Sequence, residues 1–297
     1  MLDLGRLRAL HAIAAHGSVG AAAGALGYTP SAVSQQIAKL ERETRTALLE
    51  KRGRGVALTD AAQLLVDTAG QVLKLVEEAE VTLEELRGAA VGKLCVGAFP
   101  TAARGLLPDV LCALAERHPA LDVRVLEIDP TEALDAVTRG ELDLAVVHDW
   151  ANTPLPVPES LSRMRICDDV ADVLMPVSNP LSRKAFLEPG DLAGERWMCQ
   201  PEGSICHDWL VRTFRAAGVE PNLVYRVGEY QTQFALLERG IGVALLPRLG
   251  RGPIPGNVRA VPLRPTPTRR LFAAWRTQAS RRPAITAALE VIREVAS

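Results

Sequence analysis

The side chains of this 297-residue chain that could carry chemistry are five histidines, five cysteines and a few grouped hydroxyl, amide and basic residues. The cysteines stand at 95, 112, 167, 199 and 206, none in a Cys-x-x-Cys pair, so neither a zinc ribbon nor a disulfide framework is indicated. No metal site and no cofactor is expected. Among the histidines, only His148-Asp149 at a predicted strand end looks catalytic, and a polar pocket wall is its better reading. Gly-x-Ser-x-Gly, His-Glu-x-x-His, Walker and Gly-x-Gly-x-x-Gly motifs are all missing from the sequence, which argues against an enzyme. The informative polar residues lie elsewhere. Ser31, Ser34 and Gln35 recur on one side of a predicted helix whose other side carries Val33, Ile37 and Leu40. Serine and glutamine can hydrogen-bond base edges in a major groove, so this spacing points to nucleic acid.

The elements needed to present that face are legible. Helical spacing covers residues 3–15, Ser18 caps a short Ala-rich helix over 19–26, and Gly27 ends it. Thr29-Pro30 then places an N-cap hydroxyl before a proline at the first helical position, opening a helix to about Thr44. Two short helices joined by a turn describe a helix-turn-helix. Residues 48–58 read as a hairpin with Arg52 and Arg54 at its tip, which makes the module a winged one. Charge agrees: residues 1–60 carry eight Lys/Arg against five acids, while the whole chain stands at −1. The expected DNA-binding set is Thr29, Pro30, Ser31, Ser34, Gln35, Lys39, Arg52 and Arg54.

Thr59 caps a long helix over 59–88, on which Leu58, Ala61, Leu65, Thr68, Val72, Leu75, Ala79, Thr82 and Leu86 alternate in steps of three and four. Such a seam predicts a dimerising linker. From Gly92 the pattern becomes strands alternating with helices, an α/β array of two lobes on mostly parallel sheets. A helix is expected over 101–117, and strand-like sequence over 163–176. At the end of the first strand, Thr101, Ala102 and Arg104 open that helix, where a hydroxyl, free amides and the helix dipole suit a ligand carboxylate. In the second lobe the 200–204 loop (Gln200, Glu202, Ser204) and Glu229-Tyr230 fall at equivalent strand ends.

Taken together, the tract from Ala21 through Thr29-Pro30-Ser31-Ala32-Val33-Ser34-Gln35 to Leu40-Glu41, and the wing from Leu48 to Thr59, resemble those of a LysR-type transcriptional regulator. The segments Gly140-Glu141-Leu142-Asp143-Leu144-Ala145 and 240–247 are similar to parts of that family's effector domain. The resemblance implies an α+β multidomain chain. Residues 1–58 would be a winged helix-turn-helix and 59–88 a linker helix. Residues 89–297 would form a two-lobed α/β effector domain of the periplasmic-binding-protein-like type, with lobes at about 92–164 plus 268–297 and at 165–267. It implies the base-facing role of Ser31, Ser34 and Gln35, a wing at Arg52 and Arg54, and an effector hydroxyl at Thr101. Asp129 and Thr131 would be further pocket walls, as would the 200–204 loop. Four positions depart from the family. Arg45 stands where a glycine usually follows the recognition helix, which predicts an altered turn. Leu49 replaces a phenylalanine, Ala62 a glycine, and Pro130 a ligand-binding hydroxyl.

The partners expected are double-stranded promoter DNA, a small polar or carboxylate effector, further copies of the chain in a homodimer or homotetramer, and RNA polymerase as a candidate. No membrane partner is expected, and the N-terminus lacks the apolar core of a signal peptide, so a cytoplasmic location is expected. Two alternatives stand beside this reading. One is a redox-sensing regulator using Cys199 and Cys206, with His207 beside them; the other is a two-lobed small-molecule-binding protein or enzyme.

Overall fold

The computed structural model describes residues 2–52 and 55–296, so Arg54, expected at the wing tip, lies outside the described residues. The chain divides into two compact units, residues 1–89 and 90–297. In the first, α1 (Leu4–His16), α2 (Val19–Leu26) and α3 (Pro30–Thr44) precede a hairpin of β1 (Leu49–Arg52) and β2 (Gly55–Leu58), and α4 (Asp60–Arg87) follows. Each of the first three helices begins at a short side chain that satisfies an orphan amide. The Asp3 carboxylate accepts from Arg6 N, and the Ser18 and Thr29 hydroxyls accept from Ala21 N and Ala32 N. Gly27 closes α2 at φ 69°, a left-handed conformation that suits a residue without Cβ. Leu10, Ala22, Val33, Leu40 and Leu48 form the centre of one apolar core.

Arg45 takes the left-handed conformation after α3, with φ 51° and ψ 34°, and its N–H returns to Glu41 O. The altered turn expected there does not occur. The chain makes the left-handed turn that a glycine would adopt freely, with an arginine in it. What holds it is Glu41, whose carboxylate accepts from Leu48 N (2.8 Å) and Leu49 N (3.3 Å) and so ties the hairpin to the helix end. Arg45→Gly should therefore stabilise this unit by about 0.5–1 kcal/mol, relief of the strain exceeding the entropy of an added glycine. A rise in the urea midpoint at unchanged m-value is the expected readout.

On α4, Ala61, Ala62, Leu65, Val66 and Ala69 pack into the same core. The heptad seam thus differs from the expected one at its start: Ala61 and Leu65 face their own unit, because α1 covers that side. The exposed apolar stripe begins at Leu64 and continues through Leu75, Ala79 and Leu86.

The second unit rests on nine strands: β3 (Gly92–Ala98), β4 (Leu121–Glu127), β5 (Leu144–Trp150), β6 (Leu161–Pro176), β7 (Arg196–Cys199), β8 (Asn222–Arg226), β9 (Val243–Pro247), β10 (Val258–Pro262) and β11 (Thr268–Arg276). Their order is β4-β3-β5-β11-β6-β9-β7-β8, with β10 also paired to β6. Mostly parallel sheets were expected, and the centre departs from that. β3 is parallel to β4 and β5, and β7 to β8 and β9, yet β6 and β11 are antiparallel to all their partners. The cause is connectivity: β6 carries the chain out of one lobe and β11 brings it back. The partner of β6 changes from β11 to β9 between Val170 and Ala171, beyond the junction expected at 164/165.

Among the described residues, six α-helices cover the sheet: α5 (Pro100–Gly105), α6 (Leu107–Arg117), α7 (Pro130–Thr138), α8 (Ile205–Ala216), α9 (Tyr230–Leu237) and α10 (Pro283–Val295). The single helix expected over 101–117 is two, broken at Leu106, because Pro108 has no N–H to continue the ladder and its ring would clash with the preceding turn. Leu94, Leu144, Leu271 and Ile285 are fully buried in the first lobe, and Trp197, Phe214 and Val243 in the second.

Candidate functional sites

In the first unit α3 is two-faced. Val33, Ile37 and Leu40 are buried, while Ser31, Ser34, Gln35, Ala38 and Lys39 are exposed along the opposite side. Thr29 and Pro30 are exposed at its head and Arg52 at the end of β1. Arg42 extends the exposed stripe by one turn, its Nε donating to Ala38 O, and Tyr28 stands 59% exposed just before the helix. Neither was singled out from the sequence, although Arg42 follows Lys39 and Ala38 at helical spacing. A helix face of small hydroxyls, an amide and two cations, with nothing apolar but Ala38, is suited to base edges and flanking phosphates.

In the second unit a cavity of about 20 Å³ sits at the C-terminal ends of β5, β7 and β9, lined by Trp150, Gln200, Cys206, Tyr230 and Gln233 among apolar side chains. Strand ends of an α/β sheet are where such folds receive ligands. Trp150 stacks on Trp209 at 4.5 Å between ring centres, and His148 meets Trp150 edge-on at 6.4 Å. The polar wall is only partly satisfied. Gln200 Nε2 donates to Gly228 O (2.8 Å) and Gln233 Nε2 to Val227 O (2.6 Å). Gln233 Oε1, Trp150 Nε1 and His148 Nδ1 are buried with no hydrogen-bond partner of ordinary geometry among the described residues.

Behind this wall lies Arg269 on β11, 1% exposed. It donates to Asp169 Oδ2 from Nε (2.9 Å) and Nη2 (2.7 Å), and to Thr101 Oγ1 (2.7 Å), with its guanidinium 4.9 Å from the Phe99 ring centre. The other Asp169 oxygen accepts from Arg248 N (3.1 Å) and Leu249 N (3.0 Å). One buried ion pair therefore joins α5, β6, β11 and the loop after β9.

This arrangement corrects several expectations about the ligand site. Thr101 is not the free cap of a helix: Phe99 is the cap, Pro100 starts α5 one residue earlier, and the buried Thr101 hydroxyl already accepts from Arg269. Ala102 is fully buried in the apolar core. Arg104 is exposed and its field acts on Glu229. Some amides at the heads of α8 and α9 are already taken, since Ser204 accepts from His207 N, and Glu229 from Gln231 N (2.7 Å) and Thr232 N (2.6 Å). Asp129 and Thr131 are exposed at the head of α7, and Glu202 is an exposed partner of Arg226 at 3.4 Å. Of the expected ligand residues, only Gln200 and Tyr230 line the cavity, with His148 one ring behind. Trp150, Gln233 and Arg269 were not foreseen. Gln233 follows Tyr230 by three positions on a predicted helix, a signal that could have found it.

Burial dominates the titration here. It pushes the Cys199 thiol up to about 11, and it raises Cys206 too, the Arg269 charge pulling the other way. At neutral pH Cys199 is thus overwhelmingly the protonated thiol, a poor nucleophile. The Cys199 thiol donates to Gln200 O (3.2 Å). Burial, then the Arg269 charge, holds His148 well below its ordinary 6.5. A base depressed in the folded state stays neutral while the unfolded chain takes up a proton, so stability falls as pH drops below 6.5. The native unit should lose about 1.4 kcal/mol per pH unit there relative to His148→Gln. Urea midpoints of both proteins between pH 5 and 7 check this. Among the described residues no group of three or more His, Cys, Asp or Glu could hold a metal, and no single helix is long and apolar enough to cross a membrane.

Comparison with known proteins separates the two units in the same way. Residues 4–63 match the model of the bacterial regulatory helix-turn-helix protein, lysR family, and residues 87–297 match that of the LysR substrate binding domain. The chain belongs to the LysR family of transcriptional regulators. Along 99% of its length it is 30% identical to the probable HTH-type transcriptional regulator LrrA of Synechococcus elongatus, covering 98% of that protein. It is 27% identical to the transcriptional dual regulator GltC of Bacillus subtilis over 73% of this chain and 71% of GltC. Among solved structures, full-length OxyR C199D of Pseudomonas aeruginosa superposes with a TM-score of 0.72 at 24% identity, covering 99% of this chain and 95% of that one. Full-length CbnR in complex with its target DNA superposes at 0.56 and 20% identity, each chain covered completely. At these identities the likeness is one of fold. The family is one of DNA-binding regulators with an effector domain rather than of enzymes.

Proposed function

We propose that this LysR-family regulator reads promoter DNA through the exposed face of α3 and its wing, as a homodimer or homotetramer. A small polar effector seated in the Trp150–Gln233 cavity would change that grip. The observation that carries the DNA half is the exposed row Ser31, Ser34, Gln35 and Lys39 over the buried row Val33, Ile37 and Leu40, on a helix capped at its head by Thr29. The exposed stripe on α4 supports pairing of copies, and two copies bring two reading helices to two half-sites. The cytoplasm is the location in which such a regulator would meet promoter DNA. A thiol-based response through Cys199 and Cys206 runs against the burial that keeps both thiols protonated.

Footprinting on the fragment upstream of its own gene tests the reading. Gln35→Ala should relax base preference at one position of each half-site by about 1–3 kcal/mol. Lys39→Ala should instead weaken all sequences alike and lower the slope of log affinity against log salt by about one. Equal loss on every sequence from both variants would contradict the assignment of Gln35 to base reading.

A further inference from the structure

The polar inventory of the second unit's cavity carries a statement about what it binds. Resting on the reading that this cavity is the effector site, we infer that its ligand is a small uncharged molecule that accepts a hydrogen bond from Trp150 Nε1 and donates one to Gln233 Oε1. Both atoms belong to side chains only 1% exposed, and neither has a hydrogen-bond partner of ordinary geometry among the described residues, the Cys206 thiol being the weak acceptor beside Trp150 Nε1. The orientation of the Gln233 amide follows from its own contact. Only the NH₂ end can face Val227 O at 2.6 Å, which leaves the carbonyl oxygen of this cavity-lining side chain as an unused acceptor. A donor and an acceptor held in one wall ask for a ligand with the complementary pair, and a site that buries both discriminates strongly against one that leaves either unmatched.

Charge narrows the class further. Every lining residue is neutral. The cation behind the wall, Arg269, is already held by Asp169 and Thr101. The Arg269 field reaches Cys206 more strongly than the opposing field of Asp129, and of the helix-end amides that of His207 on α8 is taken by Ser204 and those of Gln231 and Thr232 on α9 by Glu229. A carboxylate in this cavity would be buried with no charged residue in the lining to pair with it. The Thr101 hydroxyl, where the sequence suggested a carboxylate, is already engaged by Arg269. Size agrees: about 20 Å³ holds one or two water-sized groups, so anything larger than a few heavy atoms requires the wall to move.

The test compares isosteric pairs that differ in charge. The full-length protein, carrying ¹⁵N-labelled tryptophan, is titrated at constant ionic strength with formamide and formate, then with acetamide and acetate. The reporter is the Trp150 indole N–H resonance, assigned by its loss in Trp150→Phe. The amide of each pair should move that resonance at a concentration at least tenfold below its carboxylate, and Gln233→Leu should raise the amide concentration needed by tenfold or more. The pair comparison uses the unaltered protein, so it decides the matter even if Gln233→Leu does not fold. Carboxylates acting at equal or lower concentration would overturn the uncharged class while leaving the cavity as effector site. If no probe moves Trp150, the cavity holds only water, and both this inference and the effector reading fail.

Discussion

Arg269→Met should cost the second unit about 3–5 kcal/mol, because it strands the Asp169 carboxylate in a site where both partners are almost fully buried. For a unit of this size that is a fall in melting temperature of roughly 10 °C. Asp169 cannot simply be removed in compensation, since its other oxygen receives the amides of Arg248 and Leu249. The double variant Arg269→Met with Asp169→Asn keeps an acceptor for those amides and removes the uncompensated charge, and should recover about half the loss. Calorimetry of the three proteins reads both effects. Arg215→Met serves as the contrast, because the Arg215–Glu220 pair is more than half exposed on both sides and its loss should leave the transition unmoved. If Arg269→Met melts with the native protein, the ion pair does not bind the two lobes together as described.

The second large effect is expected where two backbones touch. Gly250 has φ +65°, and a Cβ there would stand 2.3 Å from Thr101 O and 3.1 Å from Thr101 C. Nearby, a Cβ on Gly105 would stand 2.4 Å from Gly250 N. Neither neighbour is a flexible side-chain end, so α5 and the loop after β9 would have to part. Gly250→Ala should cost about 2–4 kcal/mol, the sum of overpacking and a left-handed alanine. Gly252→Ala provides the comparison: its φ is +76°, but nothing lies within 4 Å of the added carbon, so only the conformational cost of about 1 kcal/mol remains. Matched urea titrations separate clash from conformation. Because Thr101 also receives Arg269, the Gly250 variant should disturb the cavity as well, visible in the tryptophan emission.

How much of this was legible in the sequence follows from how far apart the interacting residues lie. The reading head was legible because everything it needs is local: a cap at Thr29, a proline at the first position, and a 3.6-residue alternation that buries Val33, Ile37 and Leu40 and exposes Ser34 and Gln35. The wing and the long α4 were legible for the same reason. The cavity was not. The charge pair behind its wall spans 100 residues between Asp169 and Arg269, and the Arg269–Thr101 bond spans 168. No periodicity links them. Thr101 misled because a hydroxyl at a strand-to-helix turn reads as a cap, whereas Pro100 had already taken the first helical position. Glu229 was placed at the ligand for its position at a strand end, yet its carboxylate serves its own helix. The mixed sheet was hidden too, because a long strand shared by two lobes looks like any buried strand until its partners are known.

The reading of promoter DNA is the claim on which the rest stands, and a competition binding measurement reaches it most directly. The full-length protein is titrated, at physiological salt, into a mixture of labelled DNA upstream of its own gene and shuffled duplex of the same composition. Sedimentation of the complex gives the number of copies bound. The account predicts at least two copies on one site and a preference of roughly a thousandfold or more for one fragment, most of it lost in Gln35→Ala combined with Ser34→Ala. Equal affinity for the shuffled duplex, or a single copy saturating the site, would contradict it.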